Sequence, residues 1–412
     1  MTISVEEQYL LELMNRARLD PLGEAKRFGI ALNDGLDPGT ISSRAKQVLA
    51  GNDLLDTAAT GHSLWMLAED EFQHVGEGGS SPNERMDEAG YHGTTYGENI
   101  ALVGSTGSIT LAQSIAQLNE NLFRSAGHRE NTLNGTFREL GLGTEVGSYT
   151  QGSSTFNAAV LTENFGLLGT RHFLTGIAYQ DADNDAFYSM GEGVSGVPFA
   201  AQGHQTATAG AGGYELGLTS SAGVAVSGQA GGVTFSLKVN MRPGNVKLDL
   251  VDGNVFFSSG SVTLISGVQD AVLLGVGNLS ATGSAQDNHL TGNSGANTLN
   301  GHGGRDLLEG GVGNDTLIGG AGNDRLNGGR GADVFVFAPA GGSDRITGFS
   351  TAEDTLRLDA ALWDQRTLTA AQVIAEFATE TANEVVLDFG ATEIRLLGLG
   401  STAGLSGAMD IF

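Results

Sequence analysis

Four aspartates, Asp306, Asp315, Asp324 and Asp333, stand nine residues apart, and glycines keep constant offsets from them. Gly310, Gly311 and Gly313 precede Asp315; Gly319, Gly320 and Gly322 precede Asp324; Gly328, Gly329 and Gly331 precede Asp333. The units 310–318, 319–327 and 328–336 fit G-G-x-G-x-D-x-U-x in full, U being apolar, and unit 301–309 departs only at His302. Two earlier units, beginning at Gly283, carry Asn288 and Asn297 at the Asp position. The apolar position recurs at Leu290, Leu299, Leu308, Leu317, Leu326 and Phe335. Each unit reads as a turn followed by a short strand, so two units close one coil of a parallel β-roll. Turns on the same side then pair Asp306 with Asp324 and Asp315 with Asp333. Glycine permits backbone angles that bring carbonyls inward beside these carboxylates. A hard cation held by oxygens alone, in a cage of about six to eight ligands, is the chemistry such turns offer, and calcium suits it. A flexible Gly-rich linker would need no apolar register.

A second acidic pattern lies at 181–192. Asp181, Asp183, Asp185 and Glu192 occupy the first, third, fifth and twelfth places, with the Phe187 carbonyl at the seventh. This is the ligand spacing of an EF-hand calcium loop. Ala186 stands where glycine is usual, and 174–179 reads as a strand, so flanking helices are not expected. The alternative is an acidic surface turn.

The elements that must position these groups change along the chain. Val5, Tyr9, Leu10, Leu13, Met14 and Ala17 follow a helical period behind a Ser4–Glu7 capping box. Asp20-Pro21 predicts the cap and first turn of a second helix carrying Leu22, Ala25 and Phe28. Further helices are expected over 54–72 and about 110–124, and short strands over 140–144 and 157–164. Residues 170–250 alternate like strands. The expectation is a multidomain chain: an α/β domain at 1–168, an antiparallel β-sandwich at 170–250, a parallel β-roll with its leader coil at 251–350, and a β-rich cap at 351–412.

Composition bounds the function. The 412 residues include 64 Gly and 6 Pro, and 21 Lys+Arg against 47 Asp+Glu leave a net charge of −26. That balance argues against nucleic acid or an anionic membrane as the main partner. Without cysteine there is no disulfide framework and no thiolate metal site. No run reaches the ~18 apolar residues of a membrane span, and the first residues lack a basic and apolar leader.

The nonapeptides resemble the RTX family, calcium-binding repeats of proteins exported by Gram-negative type I systems. The resemblance implies an extracellular location, passage through type I secretion machinery and a C-terminal signal. Gly341-Gly342-Ser343-Asp344 with Phe349 looks like the closing segment of such rolls, and Met409-Asp410-Ile411-Phe412 like their terminal signals. Residues 175–197 with 212–216 resemble small calcium-carrying β-sandwich modules of bacterial surface proteins.

Between 6 and 166, several pieces resemble the bacterial branch of the CAP (SCP-like) superfamily. They are 10–21, Ala59-Thr60-Gly61-His62-Ser63, Phe72-Gln73-His74, Arg85 with Ala89-Gly90-Tyr91, Gly97-Glu98-Asn99-Ile100-Ala101, Ser125-Ala126-Gly127-His128-Arg129 and Leu140-Gly141-Leu142-Gly143. The resemblance implies an α-β-α sandwich whose cleft gathers His74, Glu98 and His128, with Glu120 the nearest match to a second family glutamate. Tyr96, Asn99 and Arg129 would line it. Two imidazoles and a carboxylate can hold a zinc-like divalent metal, act as general acid and base, or hydrogen-bond loops together. His62, on a helix face, reads as a core histidine.

Three functions follow as expectations. The first is an exported calcium-binding protein whose CAP-like domain engages an unknown extracellular ligand or protein. The second is a metal-assisted hydrolase using His74, Glu98 and His128. The third is a lipid- or sterol-binding protein. The chain has neither His-Glu-x-x-His nor Gly-x-Ser-x-Gly, which removes the common zinc protease and serine lipase readings.

Overall fold

A computed structural model describes residues 3–412, which divide into two compact units. Unit 1 comprises the described residues up to Ala222 together with Met241–Asp252; unit 2 comprises Gly223–Asn240 and Gly253–Phe412. The stretch 170–250 is therefore shared between them.

Unit 1 begins with helix α1 (Val5–Leu19), started by the Ser4–Glu7 capping box, and α2 (Pro21–Arg27), capped by Asp20 with Pro21 in its first turn. Next come β1 (Ala50–Gly51), α3 (Asp53–Glu69), α4 (Pro82–Glu88), β2 (Thr95–Ser105), α5 (Leu111–Arg124) and α6 (Ala126–Thr132). Strands β3 (Glu139–Gln151) and β4 (Ser154–Leu167) complete a four-stranded sheet of order β1-β3-β4-β2. β3 and β2 both pair antiparallel with β4, and β1 runs parallel to β3.

Helices cover both faces of that sheet. Leu10, Leu11 and Met14 of α1 join Ile115, Leu118 and Leu122 of α5 over Ala101, Leu140, Leu142, Ala159 and Leu161. Met66 of α3 packs with Ile100 and Val160, the alternate residues of the same strands. Two glycines let α3 lie directly on β3: a Cβ at Gly141 would sit 2.1 Å from the Leu55 carbonyl carbon, and one at Gly143 2.2 Å from that of Ala59.

Helix α1 differs from the amphipathic helix expected. Gln8, Glu12, Asn15 and Arg18 are buried along with its apolar face. Asn15 pairs with both backbone groups of Leu49, and Arg18 donates to the carbonyls of Gln47, Thr132, Asn134 and Phe137. Helical periodicity locates the sheet-facing stripe but cannot see a second partner that covers the polar stripe. Leu22, expected on an apolar face of α2, is 41% exposed.

The rest of unit 1 contains β5 (His172–Tyr179), the hairpin β6 (Pro198–Ala201) and β7 (His204–Ala207), β8 (Gly213–Leu218) and β9 (Val246–Val251). β5 pairs antiparallel with β8 but parallel with β9, which corrects the expectation of a purely antiparallel middle sheet. The intervening residues Gly223–Asn240 leave unit 1, so β9 returns along β5 by a crossover and not by a hairpin.

Unit 2 opens with the antiparallel strands Val224–Ala230 and Val233–Val239; the second pairs with Val262–Ser266. From there the chain coils into two parallel ladders. One stacks Ala271, Leu290, Leu308, Leu326, Ile346 and Leu396 in register, the other Ala281, Leu299, Leu317, Phe335, Leu356 and Met409. The six apolar repeat positions are at most 1% exposed, because alternate residues of each short strand point into the coil. The strand Met409–Ile411 extends the second ladder beside Thr355–Leu358. No helix of the described residues is long and apolar enough to cross a membrane, which says nothing of membrane β-barrels.

Candidate functional site

In the roll, each turn aspartate is set by the short strand that follows it and lies one coil from its counterpart. The Asp306 N–H donates to Asp324 Oδ1 (2.8 Å), and the Asp324 N–H to Asp344 Oδ1 (2.9 Å). On the other side the Asp315 N–H donates to Asp333 Oδ1 (2.9 Å), and the Asp333 N–H to Asp354 Oδ1 (3.0 Å). All four repeat aspartates are at most 2% exposed. The second oxygens of Asp306, Asp315 and Asp324 are buried and accept no hydrogen bond. They lie against the first glycine of each unit: a Cβ at Gly301, Gly310 or Gly319 would fall 2.1, 2.6 or 2.4 Å from them. Backbone carbonyls crowd the other repeat glycines. A Cβ would lie 1.6 Å from Gly304 O at Gly322, 1.8 Å from Gly313 O at Gly331 and 2.0 Å from Gly311 O at Gly329.

An orphaned carboxylate oxygen in a cradle of carbonyls, closed to any side chain, fits calcium and not a second protein group. Burial pushes Asp306 up to about 7 and Asp315 to about 6, with the paired aspartate's charge adding to the rise, while hydrogen bonds from Asn288 and Asn297 N–H oppose it. Asp324 and Asp333 are raised for the same chief reason. A bound cation would reverse that cost.

Two residues of the columns escape the nine-residue period. Asp344, 1% exposed and raised by burial to about 7, and Asp354 continue the ladders after spacings of 20 and 21 residues. The Gly-Gly-x-Asp of 341–344 is the signal that would have found Asp344. Conversely, Asn288 and Asn297 satisfy themselves. Their Oδ1 atoms accept from the Ser284 and Asn293 N–H groups, and the Asn288 amide donates to Gln269 O.

In the 181–192 loop, carboxylate oxygens of Asp181, Asp183 and Asp185 lie within 4.8 Å of one another. Glu192 closes the loop by accepting from the Ala182 and Ser189 N–H groups (2.9 and 2.7 Å). Asp181 accepts from the Asp185 and Ala186 N–H groups, and Ala186 adopts φ 58°. The ring of Phe187 packs on α1, with the Arg16 guanidinium 4.7 Å above it and Tyr9 6.3 Å away.

In the N-terminal segment His74, from the loop after α3, lies against Glu98 of β2: Nδ1 to Oε1 is 2.9 Å. The His74 and His128 rings are 6.5 Å apart. Arg85 of α4 donates to the other Glu98 oxygen at 2.6 Å, so the buried carboxylate is already answered by a cation. Burial, and then the neighbouring His74, lower His128, which favours its neutral imidazole. One β2 neighbour turns the opposite way. Asn99 donates to His128 O and to Glu163, which burial raises to about 7; sequence reading missed Glu163 because nothing local marks it.

Three family-implied residues have partners of their own. Arg129 is fully buried and donates to the carbonyls of Leu32, Asp34, Phe123 and Arg124, so its guanidinium braces loops. The Tyr96 hydroxyl donates to Asp87, and Glu120 pairs with Arg124 along α5. His62 is 1% exposed, stacks on Trp65 and meets Gln73 O at 2.9 Å.

Residues 282–317 and 302–335 match the family described as the RTX calcium-binding nonapeptide repeat, in four copies. The chain carries RTX calcium-binding nonapeptide repeats. No curated protein matches the chain. Solved structures similar to parts of it include an extracellular protein containing a SCP domain from Bacillus anthracis str. Ames, at 24% identity over 30% of this chain and 34% of that one, TM-score 0.22. An outer surface protein from Borrelia burgdorferi aligns at 15% identity over 41% of this chain and 98% of that one, TM-score 0.27. The AlgE6R2 subunit of a mannuronan C5-epimerase from Azotobacter vinelandii aligns at 29% identity over 32% and 91%, TM-score 0.26. The aligned region thus spans about a third of the SCP-domain structure's length.

Proposed function

We propose that the protein is an exported calcium-binding protein whose C-terminal roll folds on calcium outside the cell, and whose CAP-like N-terminal module presents a ligand- or partner-binding cleft. The four functional segments are 1–168, 170–250, 251–350 and 351–412. The three buried, unpartnered Asp oxygens carry the calcium reading. Asp306, Asp315, Asp324 and Asp333, with the carbonyls of their glycine turns, would hold the ions, and Asp181, Asp183, Asp185, Glu192 and the Phe187 carbonyl would hold another. Extracellular modules bind calcium at roughly 10⁻⁴–10⁻³ M, so the roll stays open in a calcium-poor cytosol and closes outside it. Export through type I machinery is the route this folding switch suits.

In the cleft, Glu98 orients His74 while Arg85 cancels its charge, an arrangement suited to binding through His74 and His128. The second reading is a hydrolase in which the 2.9 Å His74–Glu98 pair activates water, with or without a zinc-like metal on the two imidazoles. Calcium titration of the whole chain, followed by circular dichroism, tests the first reading. Strand signal should grow with calcium and vanish with chelator. The pair Asp315→Ala and Asp333→Ala should weaken that transition more than Asp287→Ala, whose exposed carboxylate accepts the Arg305 N–H. Strand content indifferent to calcium overturns it.

A further inference from the structure

On the outer face of the roll, positive charge gathers where an acidic protein would be expected to disperse it. Arg325 and Arg345 stand directly opposite each other on adjacent parallel strands, and Arg345 is in turn opposite Arg395. Neighbouring strands lie about 4.8 Å apart, and like charges directly opposite destabilise a sheet. At Arg395 the repulsion is answered, because its guanidinium pairs with Glu384 and Glu393. At Arg325 and Arg345 no such answer is present among the described residues. Both are exposed, as is Arg305.

These three arginines enclose a concavity of about 120 Å³, completed by Asn323, Ser343 and Asp324. The floor is built: the Ser343 N–H donates to Asn323 Oδ1 (2.8 Å), and the Ser343 hydroxyl is held by Glu393 (2.7 Å). Asn323 keeps its amide N–H groups as donors. The one acid of the lining, Asp324, has Oδ1 engaged by the Asp306 N–H, and its other oxygen is buried inside the coil.

We propose that this pocket binds the carboxylate or sulfate groups of an acidic polysaccharide. Three guanidinium forks and an amide suit an oxyanion, which arginine recognises through paired N–H groups. Arg325 and Arg345 stand opposite each other on strands about 4.8 Å apart, so acidic groups carried in series on one extended polymer can meet both arginines. Nucleic acid fits less well, since no aromatic ring lines the pocket to stack a base. An anionic membrane calls for a cluster of about four to eight basic residues, more than the pocket offers. The proposal needs the roll folded and is independent of the N-terminal cleft.

The test uses the full chain in calcium with dextran sulfate, polygalacturonate, neutral dextran and single-stranded DNA as probes. Arg325→Gln with Arg345→Gln is compared with Arg330→Gln, an exposed arginine on the same strand outside the pocket. Binding to at least one acidic polysaccharide but not to neutral dextran is expected, weakened at least tenfold in the double variant and unchanged in Arg330→Gln. Calcium-induced circular dichroism should be the same in all three proteins, which separates failure of the site from failure of the roll. Equal binding by double variant and wild type means calcium bridging or diffuse charge, and overturns the proposal. Failure to prefer acidic polysaccharide over neutral dextran, or DNA bound as tightly through the same arginines, overturns it as well.

Discussion

Ala186 holds the left-handed conformation that an EF-hand-like loop needs at its sixth place. An L-residue there costs roughly 1–2 kcal/mol, while glycine's extra chain entropy costs roughly 0.5–1 kcal/mol. The first term is larger, so Ala186→Gly should stabilise unit 1 by about 0.5–1 kcal/mol and tighten calcium binding at that loop. Thermal melting with and without calcium measures both; a lower melting temperature would count against the loop geometry. The sequence announced this loop through the spacing of its carboxylates. It was silent on Phe187 packing against Tyr9 and Arg16, because that contact joins residues far apart in the chain.

Among the elements, the α3–β3 contact is set by two glycines. Gly143→Ala would drive a methyl group to within 2.2 Å of the α3 backbone, and backbone cannot swing aside as a flexible side chain can. Overpacking of this kind costs about 1–3 kcal/mol, which chemical denaturation of the variant should show; an unchanged midpoint would refute the packing. The roll makes a different prediction, through protons. Folded Asp306, Asp315 and Asp344 hold protons up to about 7, 6 and 7, far above the ordinary value near 3.8. The folded metal-free roll therefore binds more protons than the unfolded chain between about pH 4 and pH 7. That stabilisation is complete below about pH 4 and is lost as pH rises through 6–7. In chelator, circular dichroism should show strand structure gained on acidification from pH 8 to 5. With calcium present the sign inverts, because the ion requires the deprotonated carboxylates, and acid should weaken its binding.

For the molecule as a whole, the chain divides into two compact units, so chelation should divide thermal unfolding into two transitions. The roll's interior is two single-file ladders, too thin to offset the ordering entropy of a Gly-rich chain without the ion. Unit 1 has helices packed on both faces of a sheet. Calorimetry should find one transition shifted strongly by chelator and one moved only slightly, through the 181–192 loop. A single transition that ignores calcium would contradict this division.

Some of this was written in the chain at short range. The nine-residue period specifies turn, strand and ligand position within each unit, so the roll and its calcium chemistry are legible from local pattern alone. Helix starts at Ser4 and Asp20 are local too, since a cap needs only its own first turn. Tertiary structure decided the rest wherever the physics is non-local. It extended the aspartate columns to Asp344 and Asp354 across irregular spacings, and buried the polar face of α1. It also withdrew Arg129 into a cage of carbonyls and set Arg325 opposite Arg345. In each case the partner lies on another coil, strand or loop, and local pattern does not encode which group will supply the missing hydrogen bond or the opposing charge.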